Sequence, residues 1–335
     1  MSIAVIRAGL LKTIQDRGRA GYRHLGIRPA GVMDPVAAGV ANLLAGNRED
    51  AAVLEITLLG PTLRFECATW IGLAGAEFQA TLDDRPLLNN ARHWINAGAT
   101  LELKQAQRGC RAYLAVAGGF DVPPVLASRA TDLRSGWGGF EGRALQAGDI
   151  LPMNVGWPGT QCSVEPGSFV PVSTSWSVEL PTLKFGSAGA SPSQITIPII
   201  RGSEQTWFTR ASWEALLHTT YTITPQSDRM GYRLQGEALS LSEPRELLSA
   251  ASLRGKLQVP TSGQPILLMA DHPPTGGYPV IATAAMAAWS LLAQAKPGDR
   301  LRFVETTRAE ARQLLVEQER AIKKLARAIE MRLCS

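Results

Sequence analysis

Leu63-Arg64-Phe65, Trp70-Ile71-Gly72-Leu73, Thr100-Leu101-Glu102-Leu103 and Ala112-Tyr113-Leu114-Ala115-Val116 are short runs that alternate or cluster apolar residues between Val53 and Leu151. Gly, Asp and Asn stand at the breaks, and the runs recur at about ten-residue spacing. The region is therefore read as all-β, a barrel or sandwich. Upstream, residues 3–11 read as a strand and Thr13–Gly21 as a polar turn. A helix follows: Asp34 is the N-cap, Pro35 takes the first helical position, and Val36, Val40, Leu43 and Leu44 form one face. Gly46 supplies the left-handed stop, with Asn47 after it.

At 335 residues the chain exceeds the roughly 250–300 at which a single core stops growing, so two domains are expected. Residues 152–193 are rich in Pro, Gly and Ser and poor in charge, which marks a connecting segment, with some strand content near Ser175–Leu183. Strands are expected again at Ile195–Ile200, Tyr221–Thr224, Leu257–Pro260, Ile266–Met269 and Arg300–Val304, with a helical stretch around Glu204–Leu217. Val280–Ala295 reads as a buried Ala-rich helix, too short for the ~20 residues of a membrane span. From Arg308 the tail is a helix opened by the capping box Thr307-Arg308-Ala309-Glu310. Ala311, Leu314, Leu315, Gln318, Ile322, Leu325 and Ile329 share one of its faces. The expected fold is mainly β with a few helices. The boundaries are 1–152 for an N-terminal β domain, 153–193 for the connection, 194–306 for a C-terminal β domain and 307–335 for the amphipathic helix. A faint internal echo, Gly148-Asp149-Ile150-Leu151 against Gly298-Asp299-Arg300-Leu301, suggests that the two β domains are similar.

Composition excludes several classes. The chain is 45% hydrophobic and 19% charged with a net charge of +5, carried mostly by arginine. No basic stripe interleaved with aromatics and no zinc-finger spacing accompanies that charge, which argues against a nucleic-acid partner. Cys67, Cys110, Cys162 and Cys334 are scattered without a C-x-x-C, so a structural zinc or a disulfide framework is not expected. The apolar start carries Arg7 and no cleavage signature, and a cytoplasmic protein with no membrane association is the expectation. Walker A, G-x-G-x-x-G, H-E-x-x-H and G-x-S-x-G patterns are missing, and His24, His93, His218 and His272 show no paired metal spacing. His272 draws notice for its polar neighbours.

Two polar stretches stand out in the second half. Pro225–Gly236 contains Gln226, Ser227, Asp228, Arg229 and Arg233, and Asp271–Pro279 contains His272, Thr275 and Tyr278. Buried polar groups cost roughly 1–3 kcal/mol each when unpaired. The first stretch is therefore either a solvated turn or a site that binds something polar.

Thr13–Tyr22 running to Gly31-Val32-Met33-Asp34 resembles the opening of the allophanate-hydrolase-subunit-2 family. That family includes the C subunit of 5-oxoprolinase and the second half of the urea carboxylase carboxyltransferase domain. The resemblance continues through Ala41–Asn47, Leu54–Thr57, Tyr113–Gly119 with Asp121-Val122-Pro123, Ser128-Arg129 and Thr131-Asp132-Leu133. In the second half it covers Gln226–Gly236, Gln258-Val259-Pro260 with Gly263, and Thr275–Pro279. It implies a pair of cyclophilin-like β-barrel domains. It also implies partnership with the other two 5-oxoprolinase subunits, a kinase-inhibitor-like B component and an A component, and ATP-driven opening of the 5-oxoproline lactam to glutamate. ATP, with Mg2+, is the implied cofactor, at a site that the partner subunits can share, and this chain shows no Met-Lys biotin acceptor.

Under that resemblance the catalytic candidates are Asp16, Arg129, Asp132, Asp228, Arg229 and Asp271. The aspartates would move protons or orient substrate and metal, and the arginines would steady developing charge on oxygen. Gln226, Ser227, Arg233, Thr275 and Tyr278 are the substrate-binding candidates. The chain departs from the family where Ala127-Ser128-Arg129-Ala130 replaces Gly-Ser-x-Ser, where Pro273 and Pro274 replace a polar pair, and where Ala288 replaces an acid. Two other functions stay open: the carboxyltransferase component of a urea carboxylase-like, biotin-dependent enzyme, and a non-catalytic regulator of a kinase-inhibitor-like partner.

Overall fold

The structure, a computed structural model, describes residues 1–154, 176–182 and 194–334. Two units divide the chain. The first comprises Met1–Arg19, Ala30–Pro181 and Ile322–Ser335, and the second Ala20–Pro29 and Thr182–Ala321.

Strands of the first unit are β1 (Ser2–Arg7), β2 (Leu11–Gln15), β3 (Val53–Thr57), β4 (Thr62–Phe65), β5 (Thr69–Leu82), β6 (Arg85–Pro86), β7 (Ala91–Ile95), β8 (Thr100–Val116) and β9 (Ile150–Pro152), with helix α1 (Pro35–Ala45) between β2 and β3. They form one nine-stranded sheet with the path β2-β3-β8-β4-β1-β9. The 17-residue β8 is its spine. It pairs with β3 over residues 111–114 and with β4 over residues 100–102, and β5 runs antiparallel along its length. Register shifts between Gly75 and Ala80 bend the β5–β8 ribbon, as bulges do.

The run Ala112–Val116 is buried without alternation because both of its faces are covered. Ala112, Leu114 and Val116 join the barrel core with Ile3, Leu54 and Phe65. Tyr113 and Ala115 face a second core built on Val40, Ala41 and Leu44 of α1. Both α1 caps are as read: Asp34 accepts a hydrogen bond from Ala37 N at 3.1 Å, and Gly46 is left-handed at φ 79°. A buried network pins the helix start. Glu55 Oε2 accepts from Met33 N (2.7 Å) and from the Tyr113 hydroxyl (2.9 Å), and that hydroxyl accepts from Asp34 N (2.8 Å). Burial, then the Glu55 and Asp34 carboxylates, push the Tyr113 phenol well above its ordinary value.

Two expectations at the N-terminus need correction. The strand read over 3–11 breaks after Arg7, because Gly9 takes φ 76° and Leu10 N turns to Leu59 O. The polar residues Thr13 and Gln15, read as a turn, lie buried in β2, where Gln15 Nε2 bonds Thr13 Oγ1 and Thr131 O.

The second unit holds β10 (Gln194–Arg201), β11 (Thr220–Ile223), β12 (Gly231–Gln235), β13 (Ala250–Ala251), β14 (Lys256–Gln258), β15 (Ile266–Leu268), β16 (Thr275–Gly276), β17 (Val280–Ala284) and β18 (Arg300–Glu305). Its helices are α2 (Arg210–His218), α3 (Trp289–Gln294) and the start of α4 (Arg308–Cys334). Seven strands close a barrel in the order β10-β17-β14-β15-β12-β11-β18, with parallel pairing of β10 and β18 as the seam. Closure leaves those strands no open edge. Ile197, Ile199, Tyr221, Leu257, Leu267 and Phe303 are buried.

Val280–Ala295 is not one helix. Its β-branched start, Val280, Ile281 and Thr283, forms β17 between β14 and β10, and α-helix begins only at Trp289. The capping box of α4 is present, with Thr307 N donating to Glu310 Oε2 at 2.8 Å and Glu310 N to Thr307 Oγ1 at 3.1 Å. Later in α4, within the first unit, Leu325 and Ile329 pack on the α1 core. Residues 176–182 carry no strand, residues 153 and 154 continue the first unit, and 155–175 and 183–193 lie outside the described residues. Among the described residues no helix is long and apolar enough to cross a membrane.

The α1–β5 contact depends on one glycine. A Cβ on Gly72 would overlap Ala41 O and stand 2.8 Å from Leu44 Cβ, in the middle of α1. Gly72→Ala should therefore lower stability by about 1–3 kcal/mol, the usual range for overpacking. Urea unfolding measures this, and an unchanged midpoint would show that the helix shifts freely.

Candidate functional site

In the first unit a polar cleft of about 390 Å3 opens where the end of β2 meets the loop after β8. Asp16, just past β2, is half-buried, and its carboxylate is fully engaged. Oδ1 accepts from Gly18 N (2.8 Å) and the Ser128 hydroxyl (2.6 Å), and Oδ2 accepts from Arg129 N (2.5 Å). Ser128 Oγ in turn accepts from Ala130 N at 3.0 Å. The sequence candidates Asp16 and Arg129 are thus brought together, through the Arg129 backbone. The Arg129 guanidinium points its Nε at Val122 O (2.9 Å) and lines the cleft. On another wall Arg48 and Asp50 pair at 3.2 and 3.3 Å, and this partner holds the Asp50 carboxyl below its ordinary value.

The loop before Arg129 is tightly wound. Val125 and Ser128 exchange backbone hydrogen bonds at 2.8 and 3.2 Å, and the two residues between them, Leu126 and Ala127, have φ of 53° and 60°. Positive φ at both central positions favours Gly or Asn. This chain holds the turn with neither. Asp132 stands apart from the cleft lining. Its carboxylate accepts from Arg134 N, Ser135 N and the Ser135 hydroxyl (3.1, 3.2 and 2.8 Å), which winds the following turn.

In the second unit the polar stretch 225–236 is half turn and half strand. Gln226 and Asp228 are exposed, and Asp228 Oδ1 accepts from Met230 N and Gly231 N. Ser227 Oγ bonds the backbone of Arg233, which is exposed on β12. Arg229 is the exception. It is 4% exposed, and its Nε and Nη2 donate to the two oxygens of Asp271, 6% exposed, both at 2.8 Å. The densest polar run in the chain therefore does send a charge inward, and a bidentate partner 42 residues away receives it. Thr275 and Tyr278 are exposed on the loop that carries β16.

His272, beside that pair, is 1% exposed. Its Nδ1 lies 2.8 Å from Pro273 O, and a carbonyl can only accept, so the ring proton sits on Nδ1. The Ser252 hydroxyl donates to the same carbonyl, and it stands 3.3 Å from Nδ1. With its proton on Nδ1, His272 is no base for Ser252. Burial first, then Arg23, Arg254 and Lys256, lower the His272 imidazole to about 4, against the Pro273 bond. Pro273 and Pro274 thus have a local use, since Pro273 O serves two donors and Pro274 O accepts from Ser252 N. Ala288 is fully buried.

Sequence reasoning missed Arg48, Asp50 and Asn154, and noted Asn47 only as the residue after the helix stop and as the end of a stretch resembling the family. Asn47 in fact ties the region together: its amide donates to Val116 O (2.7 Å) and its oxygen accepts from Gly118 N (2.9 Å). The one available signal was the cluster of Asn, Arg and Asp just past a helix end.

The chain matches the family model for the carboxyltransferase domain, subdomain A and B, over residues 25–305. It is 42% identical over 324 residues to the C subunit of 5-oxoprolinase from Escherichia coli (strain K12), with 97% of each chain covered. It is 31% identical to the urea amidolyase of Lachancea kluyveri, covering 96% of this chain and 18% of that one. Among solved structures, the Kluyveromyces lactis urea carboxylase superposes with a TM-score of 0.85 at 29% identity, over 96% of this chain and 29% of that one.

Two outcomes follow from the Arg229–Asp271–His272 cluster. Removing one partner of a buried ion pair typically costs about 3–5 kcal/mol, so Arg229→Ala should unfold at markedly lower urea, with Arg229→Met/Asp271→Leu recovering much of the loss. A double variant as weak as the single one would count against this account. His272 is held neutral when folded, so its contribution is complete above the unfolded value near 6.5 and is lost as pH falls toward 4. The loss is on the order of 3 kcal/mol, and thermal midpoints from pH 7 to 4 should fall more steeply in wild type than in His272→Gln.

Proposed function

The chain belongs to the carboxyltransferase-domain family, subdomains A and B, and from that premise we propose that it acts as the C subunit of an ATP-dependent 5-oxoprolinase. The observation that carries this reading is the 42% identity, over 97% of both chains, to a protein of that name. A lactam carbonyl is a poor electrophile. Phosphoryl transfer from ATP to its oxygen, with ADP leaving, gives water a carbon it can attack. The tetrahedral adduct collapses by breaking the C–N bond, the ring nitrogen taking a proton, and a second water hydrolyses the resulting acyl phosphate to glutamate and phosphate. The work left to the protein is positioning and charge stabilisation. In the first unit Arg129 supplies a guanidinium for oxygen that gains charge. Asp16 acts through Arg129 as a positioning residue, because its carboxylate holds the 128–130 loop. In this reading Mg2+ enters with the nucleotide. The A component and the kinase-inhibitor-like B component complete the enzyme.

A second reading, the carboxyltransferase component of a biotin-dependent urea carboxylase-like enzyme, draws on the superposition with the yeast urea carboxylase. The two are separated by mixing the purified chain with the A and B components and measuring glutamate released from 5-oxoproline. Release that requires ATP and all three proteins is expected. A biotinylated partner on an avidin blot, with urea carboxylation and no glutamate, would replace the first reading by the second. A stable complex with neither activity would make the chain a regulator.

A further inference from the structure

Four charged residues line the cleft of the first unit, and their hydrogen-bonding capacity is unequally used. Asp16 has three donors on its two oxygens. Arg48 and Asp50 satisfy each other through a two-point pair. Arg129 donates only Nε, to Val122 O, and among the described residues its Nη1 and Nη2 have no hydrogen-bond partner and no ion pair. The formal charges cancel, but of the two cleft guanidinium groups Arg48 is paired with Asp50, whereas Arg129 has no carboxylate partner among the described residues, and its approach is fixed from two sides. Its backbone is clamped by Asp16 and its Nε by Val122 O. Leu126 and Ala127, immediately before, are held at positive φ without glycine, a conformation that persists only where its surroundings enforce it.

A guanidinium that keeps its two terminal nitrogens while spending Nε is set up for fork-like pairing with two oxygens of one anion. The cleft volume lies within the roughly 300–1,000 Å3 of small-molecule pockets. We infer that this cleft is an oxyanion-binding site, with Arg129 as the binding residue and Asp16 as the residue that positions it. The shared ligand chemistry is a compact carboxylate or phosphate group. One source would be the carboxylate of 5-oxoproline, which rests on the function proposed above. The other is phosphate, free or at the end of a nucleotide, and does not rest on it.

Isothermal titration of the purified protein with 5-oxoproline, and separately with inorganic phosphate, tests this directly. At least one probe should bind wild type at millimolar concentration. Arg129→Gln should weaken that probe by about tenfold or more, the worth of one charge-assisted pair, and Arg129→Lys should fall between, since it keeps the charge and loses the fork. Asp16→Asn should weaken the same probe while the thermal midpoint shows that the variant is folded. The probe that responds names the source. Loss confined to phosphate keeps this site and removes the support it lends to the lactam reading. Equal binding by wild type and Arg129→Gln, or no binding of either probe to wild type, would overturn the site.

Discussion

A single carboxylate decides whether the first unit has a shaped cleft. Asp16 leaves β2 and reaches a loop 112 residues later in the chain, where its oxygens take a hydroxyl and a backbone N–H from consecutive residues. Such charge-assisted bonds are the stronger kind, and their geometry fixes more than energy. They set the path of residues 128–130, and with it the origin of the Arg129 side chain. The turn at 125–128, unfavourable for Leu126 and Ala127 in isolation, exists because its exit is tied down. Gly in place of Ala127 would occupy that φ without strain but would leave the loop more freedom before folding, so tether and strain are matched in this chain.

The second unit solves a comparable problem by burial. Arg229 and Asp271 enter from two loops and neutralise each other inside. A pair of this kind gives little net stability over an apolar replacement, yet it is expensive to break. Its value lies in specifying which loop sits against which. His272 follows from the same constraint: burial keeps it neutral, and Pro273 O takes its proton donor. Polar residues that look like chemistry in sequence are here partly the fastening of loops to a barrel.

Local features were legible from sequence because the causes are local. Asp34, Pro35 and Gly46 bound α1, and Thr307 with Glu310 opens α4, since a cap is a contact over three or four residues. Short apolar runs at ten-residue spacing disclosed the β-rich first unit. What failed was either ambiguous in pattern or distant in chain. An apolar stretch such as Val280–Ala295 fits a buried strand as well as a helix, and only pairing with β10 and β14 decides it. Asp16 and Ser128, or Arg229 and Asp271, carry no mark in sequence that they meet. Tyr113 and Glu55 sit in apolar runs with no sign that they anchor a helix start.

The Gly-Asp echo shows how far a local resemblance reaches. Gly148 N bonds Val5 O and Asp149 O accepts from Val5 N, both at 2.8 Å; Gly298 and Asp299 do the same with Ile223 at 2.8 and 2.9 Å. Each glycine has φ near 90°, and each aspartate caps a backbone N–H three residues earlier. The turn is therefore the same object twice. Its surroundings are not, since Val5 lies on β1, antiparallel to β9, whereas β18 runs parallel to β10 and antiparallel to β11, which carries Ile223. A turn with a left-handed glycine and a self-capping aspartate starts a strand wherever a neighbour offers one N–H and one C=O. It specifies the start of the strand, and the order of the barrel around it is set by burial of the whole.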